Sequence, residues 1–429
     1  MKKVTFVILA LTLAGCATGE RKGPLAGACP ACASCPPCPA VPVSSQPAQA
    51  PAMFLAAPDS LPVFADGDNI DPLLKAALLN RTYFQGLKSD TPAYSFGSRK
   101  VTAKDLSDAN EEFIKILQSS PTAADLDRLV KEKFDAYQMA GRDSTGTVVF
   151  SSYYEPTLEA SLKRTRRYRY PIYAKPEDLI FVNLEDFNEK FKGEKLTGRL
   201  KDDKLVPYLT REEIDFDGAL KHKHLELAWF RNRSDILDLQ TEGSGRLQLP
   251  DGKVVKANFA ATNSLKFKGW LSAMVEAGAL PREGISPEKG QQYLDEHPDR
   301  VRPILSMDRR YVFFKLYEPA DPDEGPAGTY GLPLTGWRSV AVDNSLVPMG
   351  TLAFMRTTTP DVDSDGNLLG RKMDSRFVFC QDTGGAIKGP GRVDFFAGNG
   401  KKAKTFAFKL WDQGTMHLLV LKEPAAPKP

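Results

Sequence analysis

The sequence predicts a mainly β protein with some helix. After Pro319, glycine, proline and β-forming residues dominate through to Leu421, and short apolar runs separated by turns suggest a compact barrel or sandwich. Between residues 175 and 256 the charge alternates, with proline and glycine at intervals, which also suits short strands. Helical spacing is confined to residues 61–87, 103–140, 265–277 and 287–296. The composition is globular, 42% apolar and 26% charged over 429 residues, a length that calls for two domains. A net charge of +3 is too small to imply nucleic-acid binding. No apolar run after the first sixteen residues is long enough to span a bilayer.

Taken in order, the chain opens with an address. Lys2 and Lys3 precede an apolar run, residues 4–13, which leads into Leu13-Ala14-Gly15-Cys16. A basic start, a short apolar core and small residues before a cut describe a secretory signal. Cysteine directly after Leu-Ala-Gly resembles a bacterial lipobox, with cleavage before Cys16 and lipidation of its sulfur; the plainer alternative is a signal peptide with an incidental cysteine. Ala17, in place of the aspartate associated with inner-membrane retention, favours an outer-membrane anchor with the folded part of the chain facing the periplasm. Residues 17–60 are rich in Pro, Ala and Ser and read as a linker. It would span roughly 40 Å as coil and up to about 130 Å extended. Its Cys29, Cys32, Cys35 and Cys38 have metal-site spacing but no surrounding fold, so disulfides are the favoured reading.

Residues 61–87 and 103–140 read as mainly helical; Leu106, Phe113, Leu117, Leu126, Leu129 and Phe134 fall at core-facing spacing. Residues 145–154 read as a strand ending in Glu155-Pro156. The run from Arg164 to Tyr173, RTRRYRYPIY, is either a solvated face or a groove for sugars bearing carboxylates. His222 and His224 would share a strand face, with no third metal ligand nearby. Gly243–Arg246 followed by Pro250-Asp251-Gly252 reads as strand, turn, strand. Residues 265–277 and 287–296 read as helices, and 311–316 as a strand. Asp361, Asp363 and Asp365 imitate a calcium loop, but Lys372 stands where the bidentate glutamate belongs, so a hairpin tip fits better.

The chemistry concentrates in residues 379–398, FCQDTGGAIKGPGRVDFFAG. Asp382 ends one apolar run, Asp394 lies within the next, and Gly384, Gly385, Gly389 and Gly391 connect them. Alternation puts Arg392, Asp394 and Phe396 on one face and Val393 and Phe395 on the other. A carboxyl lodged among aromatic rings has a raised pKa and suits proton donation. Three chemistries compete: an aspartic protease, which needs a second Asp-Thr-Gly; carbohydrate cleavage by carboxylates; and wall binding in which the aspartates only hold sugar hydroxyls.

Three ordered motifs then resemble the membrane-bound lytic murein transglycosylase A family. The first is Gly331-Leu-Pro-Leu-Thr335 with Arg338-Ser-Val-Ala-Val-Asp343 and Pro348-x-Gly350-Thr351. The second is Gln381-Asp382-Thr-Gly-Gly-Ala-Ile387, and the third Arg392-Val-Asp394-Phe-Phe396 with Gly398 and Gly400. Upstream, Ser151-Ser-Tyr-Tyr-Glu-Pro156, Glu226-Leu-Ala228 and Gly243-Ser-Gly-Arg-Leu247 are similar too. The resemblance implies a double-psi β-barrel built from residues 61–160 and 319–429, with a smaller β-rich domain, 161–318, inserted. It implies that Asp394 is the catalytic acid, that Asp382 and Asp343 support it, and that Ser151, Tyr153, Tyr154, Gly384, Gly385, Arg246 and Arg392 bind substrate. It implies peptidoglycan glycan strands as substrate, no cofactor and no metal; cell-wall synthesis or division proteins stay open as partners. The chain departs from the family at Asn263-Ser264-Leu-Lys-Phe267-Lys-Gly269, which is shorter and lacks a tyrosine, and at Ser151, where a threonine is expected.

Overall fold

The computed structural model describes residues 51–67, 69–87, 93–319, 321 and 324–423. Cys16 and the four linker cysteines lie outside them. Its centre is a closed six-stranded barrel. The strands are β3 (Val148–Glu155), β10 (Ser339–Ala341), β11 (Thr351–Val362), β12 (Leu368–Asp382), β13 (Arg392–Asn399) and β14 (Trp411–Leu421). Their order around the barrel is β3-β13-β10-β12-β11-β14 and back to β3. Two pairings, β13 with β3 and β10 with β12, are parallel; the others are antiparallel. A parallel pair cannot be closed by a tight turn. The β3–β13 pair is therefore completed by distant segments, in register Asp394 opposite Ser151. Two further strands, β1 (Met53–Leu55) and β2 (Phe134–Met139), extend the sheet from β14.

Strand alternation divides the apolar residues. Val378, Cys380, Val393 and Phe395 fill the barrel interior. Phe354, Phe377 and Phe379 face outward under α1 (Ile70–Gln85) and α2 (Ala103–Gln118), where they meet Ala76, Phe113 and Leu117. α2 starts at a capping box made by Thr102 and Asp105, and α3 (Ala123–Lys133) starts at a Thr122 cap. The expected helix over 103–140 ends at Lys133, because residues 134–139 pair with both β14 and β1. Residues 363–367 form the tip of the β11–β12 hairpin, and Asp363 accepts the Asn367 N–H there.

The chain leaves the barrel at Pro156 and builds a second, six-stranded sheet. In chain order its strands are β4 (Thr157–Ser161), β5 (Tyr170–Tyr173), β6 (Glu226–Phe230), β7 (Ser244–Gln248), β8 (Val254–Thr262) and β9 (Val312–Tyr317). A three-stranded sheet spans residues 180–207. Besides a short helix at Arg211–Asp215, the helices are α4 (Arg233–Glu242), α5 (Trp270–Glu276), α6 (Pro287–Glu296) and α7 (Pro298–Leu305). His222 and His224 do not share a strand face; both have left-handed backbone, φ 70° and 55°, in a turn. Four of the described helices went unforeseen: Arg211–Asp215, α4, α7 and α8 (Gly400–Lys409), the last of which lies between β13 and β14 and buries only Ala403 and Phe406. Among the described residues no helix is long and apolar enough to cross a membrane.

Candidate active site

Asp394 sits near the start of β13, half-buried, with its neighbours Val393 and Phe395 turned into the barrel. The hydroxyl of Ser151, its register partner on β3, donates to Asp394 Oδ1 at 2.5 Å. Arg392 Nη2 donates to the same Ser151 oxygen at 2.9 Å, while its guanidinium lies 4.7 Å from the centre of the Trp411 ring. Burial pushes the Asp394 carboxyl up to about 6, with the negative charge of Asp382 acting in the same direction; Ser151 and Arg392 pull it down. An acid balanced there can both give and regain a proton near neutral pH.

Asp382 is the last residue of β12. The Tyr153 hydroxyl donates to its Oδ2 at 2.8 Å, and the Thr329 N–H and hydroxyl each donate to Oδ1 at 2.9 Å. Burial nevertheless holds its carboxyl above the ordinary value, these hydrogen bonds opposing it. Behind it, Gln381 donates to Asn80 of α1 at 2.8 Å and accepts from Ser339 at 2.5 Å. Asp343 follows β10 and is buried. It accepts from the Ser345 hydroxyl at 2.7 Å and from the Gly389 N–H at 2.8 Å. Burial would raise its pKa, but the Gly389 and Ser345 bonds and the charge of Lys388 outweigh it and leave the carboxyl below the ordinary range. Asp343 thus pins the glycine-rich loop, whose Gly384 leaves no room for a side chain: a Cβ there would meet Ile387 at 2.7 Å. Gly385 is open to solvent.

The other expected site residues divide. Ser151 and Arg392 meet at Asp394, and Tyr153 meets Asp382 with its ring against Phe396. Tyr154 buries its ring 6.1 Å from Phe408, and its N–H donates to Glu242 Oε2 at 3.2 Å. It also lines a cavity of about 690 Å³ between the second sheet's helices and α8, which a Lys404–Glu288 ion pair bridges at 3.2 Å. Arg246 is engaged elsewhere: its Nε is 2.9 Å from buried Glu155, which also pairs with Lys256 at 2.9 Å, so it joins the two sheets. Two contributors escaped the sequence reading. Thr329 arrives on an irregular loop. Glu242 ends α4, and its carboxyl is held well above the ordinary value by burial, with the charges of Asp394 and Asp238 adding to it. Only their place in the fold brings them in.

The comparisons with known proteins follow this geometry. The description "MltA specific insert domain" matches residues 149–315, and "3D domain" matches residues 338–420. Membrane-bound lytic murein transglycosylase A of Escherichia coli (strain K12) is 30% identical over 271 residues, 63% of this chain and 64% of that protein. The chain belongs to the membrane-bound lytic murein transglycosylase A family. The namesake from Vibrio cholerae is 29% identical over 67% of this chain and 68% of its own length. A crystal structure of membrane-bound lytic murein transglycosylase from Agrobacterium tumefaciens superposes with a TM-score of 0.67 at 25% identity, covering 86% of this chain and 98% of that one. The match to the Escherichia coli protein spans less than two thirds of its length. In family terms, the insert match begins on barrel strand β3 and the 3D match takes in β10 to β14.

Proposed function

We propose that the protein is a lytic transglycosylase. It cleaves the β-1,4 bond between N-acetylmuramic acid and N-acetylglucosamine in peptidoglycan, leaves 1,6-anhydromuramic ends, and serves cell-wall turnover. One observation carries the reading: Asp394 is a half-buried carboxyl lifted to about 6, hydrogen-bonded to a hydroxyl at 2.5 Å. Protonated Asp394 donates to the glycosidic oxygen, the bond from muramic C1 to that oxygen breaks, and N-acetylglucosamine leaves as an alcohol. Positive charge develops at C1 beside the now ionised carboxylate. Asp394 then takes the proton of the muramic C6 hydroxyl as that oxygen bonds to C1. The acid is regenerated and no water is consumed. Because the nucleophile belongs to the same sugar, the second step gains the rate advantage of an intramolecular reaction. Tyr153 and Thr329 orient Asp382 beside this centre, and Asp343 fixes the glycine-rich loop that would border the glycan.

The same reading makes the protein an outer-membrane lipoprotein, anchored through Cys16, with barrel segments 61–160 and 319–429 and insert 161–318 in the periplasm and glycan bound between them. The membrane-bound relatives support the association. The test incubates the full chain and Asp394→Asn with purified peptidoglycan and weighs the released muropeptides. Products one water lighter than hydrolytic ones, absent with the variant, are expected. Water-containing ends would make it a hydrolase. No release from either protein, with binding to the wall intact, would make it a wall-binding lipoprotein.

A further inference from the structure

The turn after β4 carries Arg164, Arg166, Arg167 and Arg169 within six residues. Its backbone is fixed. The Thr165 hydroxyl accepts from the N–H of Arg167 at 3.2 Å and of Tyr168 at 3.0 Å, Tyr168 is buried, and the Arg169 N–H donates to the Phe230 carbonyl at 2.9 Å. Arg167 pairs with Glu159 at 3.5 Å, on the oxygen that Arg231 also holds at 2.9 Å. Arg164 and Arg169 have no such pair: with Arg233, the first residue of α4, they line a cavity of about 290 Å³, and none of the three has a carboxylate within ion-pair distance among the described residues. The Tyr170 ring lies between two of them, 5.3 Å from the Arg169 guanidinium and 4.5 Å from that of Arg233, and Phe216 backs Arg233 at 4.6 Å. The one acid in the lining, Asp215, lies 3.6 Å from Arg211; Arg233 donates to its backbone carbonyl at 3.3 Å and shares its charge, which leaves Arg164 and Arg169 without an acid. Guanidinium forks free of carboxylates, here Arg164 and Arg169 beside the Tyr170 ring, are the chemistry of carboxylate recognition.

α4 links this cavity to the candidate active site. Arg233 is its first residue, and Glu242, its last, accepts from Tyr154 on the strand that carries Ser151. The helix rise makes that separation roughly 14 Å. A glycan seated at Asp394 and running along α4 would carry its peptide branches toward the arginines.

We propose that this cavity receives a carboxylate of the peptide stem borne by a peptidoglycan strand, so that the protein acts on peptide-bearing glycan in preference to naked strands. The inference rests on the transglycosylase reading above. The test compares the full-length wild type with Arg164→Glu/Arg169→Glu, with Arg164→Lys/Arg169→Lys, and with Arg128→Glu on α3 as a charge control. Each is given intact sacculi and amidase-stripped strands. The ratio of kcat/KM on sacculi to that on stripped strands should fall at least about fivefold in the charge reversal, the size of one charge-assisted contact at a surface. It should fall less in the lysine variant and stay put in the control. An unchanged ratio in the reversal, or an equal fall in the control, overturns the inference. If no protein releases anhydro ends from either material, the transglycosylase reading fails by itself. Co-sedimentation with the two materials then decides the cavity: a sacculus preference lost in the reversal upholds it, and none in the wild type overturns it.

Discussion

On the proposed mechanism Asp394 gives a proton and takes one back, and its neighbours pull it in opposite directions. Burial and the charge of Asp382 favour the protonated form, while Ser151 and Arg392 favour the carboxylate. The pH profile of kcat/KM should therefore show an alkaline limb with an apparent pKa near 6. Ser151→Ala removes a stabiliser of the carboxylate and should move that limb to higher pH. Asp382→Asn removes a neighbouring negative charge and should move it lower. Shifts in the opposite senses would mean that another group sets the limb. The same raised pKa costs stability. Folding lifts Asp394 from 3.8 to about 6, so the stability tied to its protonated form is complete below 3.8 and is lost as pH rises through 6. Asp394→Asn should then unfold at higher temperature than the wild type at pH 7, by roughly 2–3 kcal/mol, with the gain gone by about pH 3. A variant equally stable or weaker at pH 7 would contradict the raised pKa.

The loop before β10 brings Thr329 to Asp382, and it has almost no clearance. A Cβ on Gly336 would lie 2.9 Å from the Gly398 Cα, backbone that cannot swing aside, and the neighbouring Trp337 N–H is bonded to the Phe396 carbonyl at 2.8 Å. Gly336→Ala should cost about 1–3 kcal/mol. It should also lower kcat on peptidoglycan by about tenfold through a displaced Thr329, as thermal unfolding and turnover measured together would tell. Full turnover in a destabilised variant would separate the loop from the chemistry. Elements of this kind set the limit of sequence reading. Asp343, Asp382 and Asp394 are legible because each sits in a short ordered motif with glycines at fixed offsets. Thr329 and Glu242 carry no local signal, since loop and insert deliver them from a distance. Residues 134–139 read as helix because Phe134 continues the spacing of α3, yet they are strand because they pair with β14 on one side and β1 on the other. α8 was hidden by its weak apolar stripe and by the glycines just before it.

Across the whole molecule, the two sheets are joined by charge as much as by packing. Glu155, the last residue of β3, is fully buried between Arg246 and Lys256 from the second sheet. Burial pulls the Lys256 ammonium down and Glu155 pulls it back up. Glu155→Ala removes the buried anion that both cations share, leaving them the Glu324 carbonyl, and should cost about 3–5 kcal/mol in chemical denaturation. Glu155→Leu combined with Lys256→Met should cost much less than the separate losses, because it removes charge from both sides. Additive losses would show the network to be unimportant. The barrel's closure carries a consequence for timing. Ser151 lies between two partners, Asp394 on one side and Trp411 on the other, and Trp411 opens the final strand. A ribosome that has just finished β3 holds half of a proton-donor pair and no partner for it. Asp394 emerges only 243 residues later. A copy that stops before Asp394 therefore has no assembled acid, and on the proposed reading it could not cut the wall.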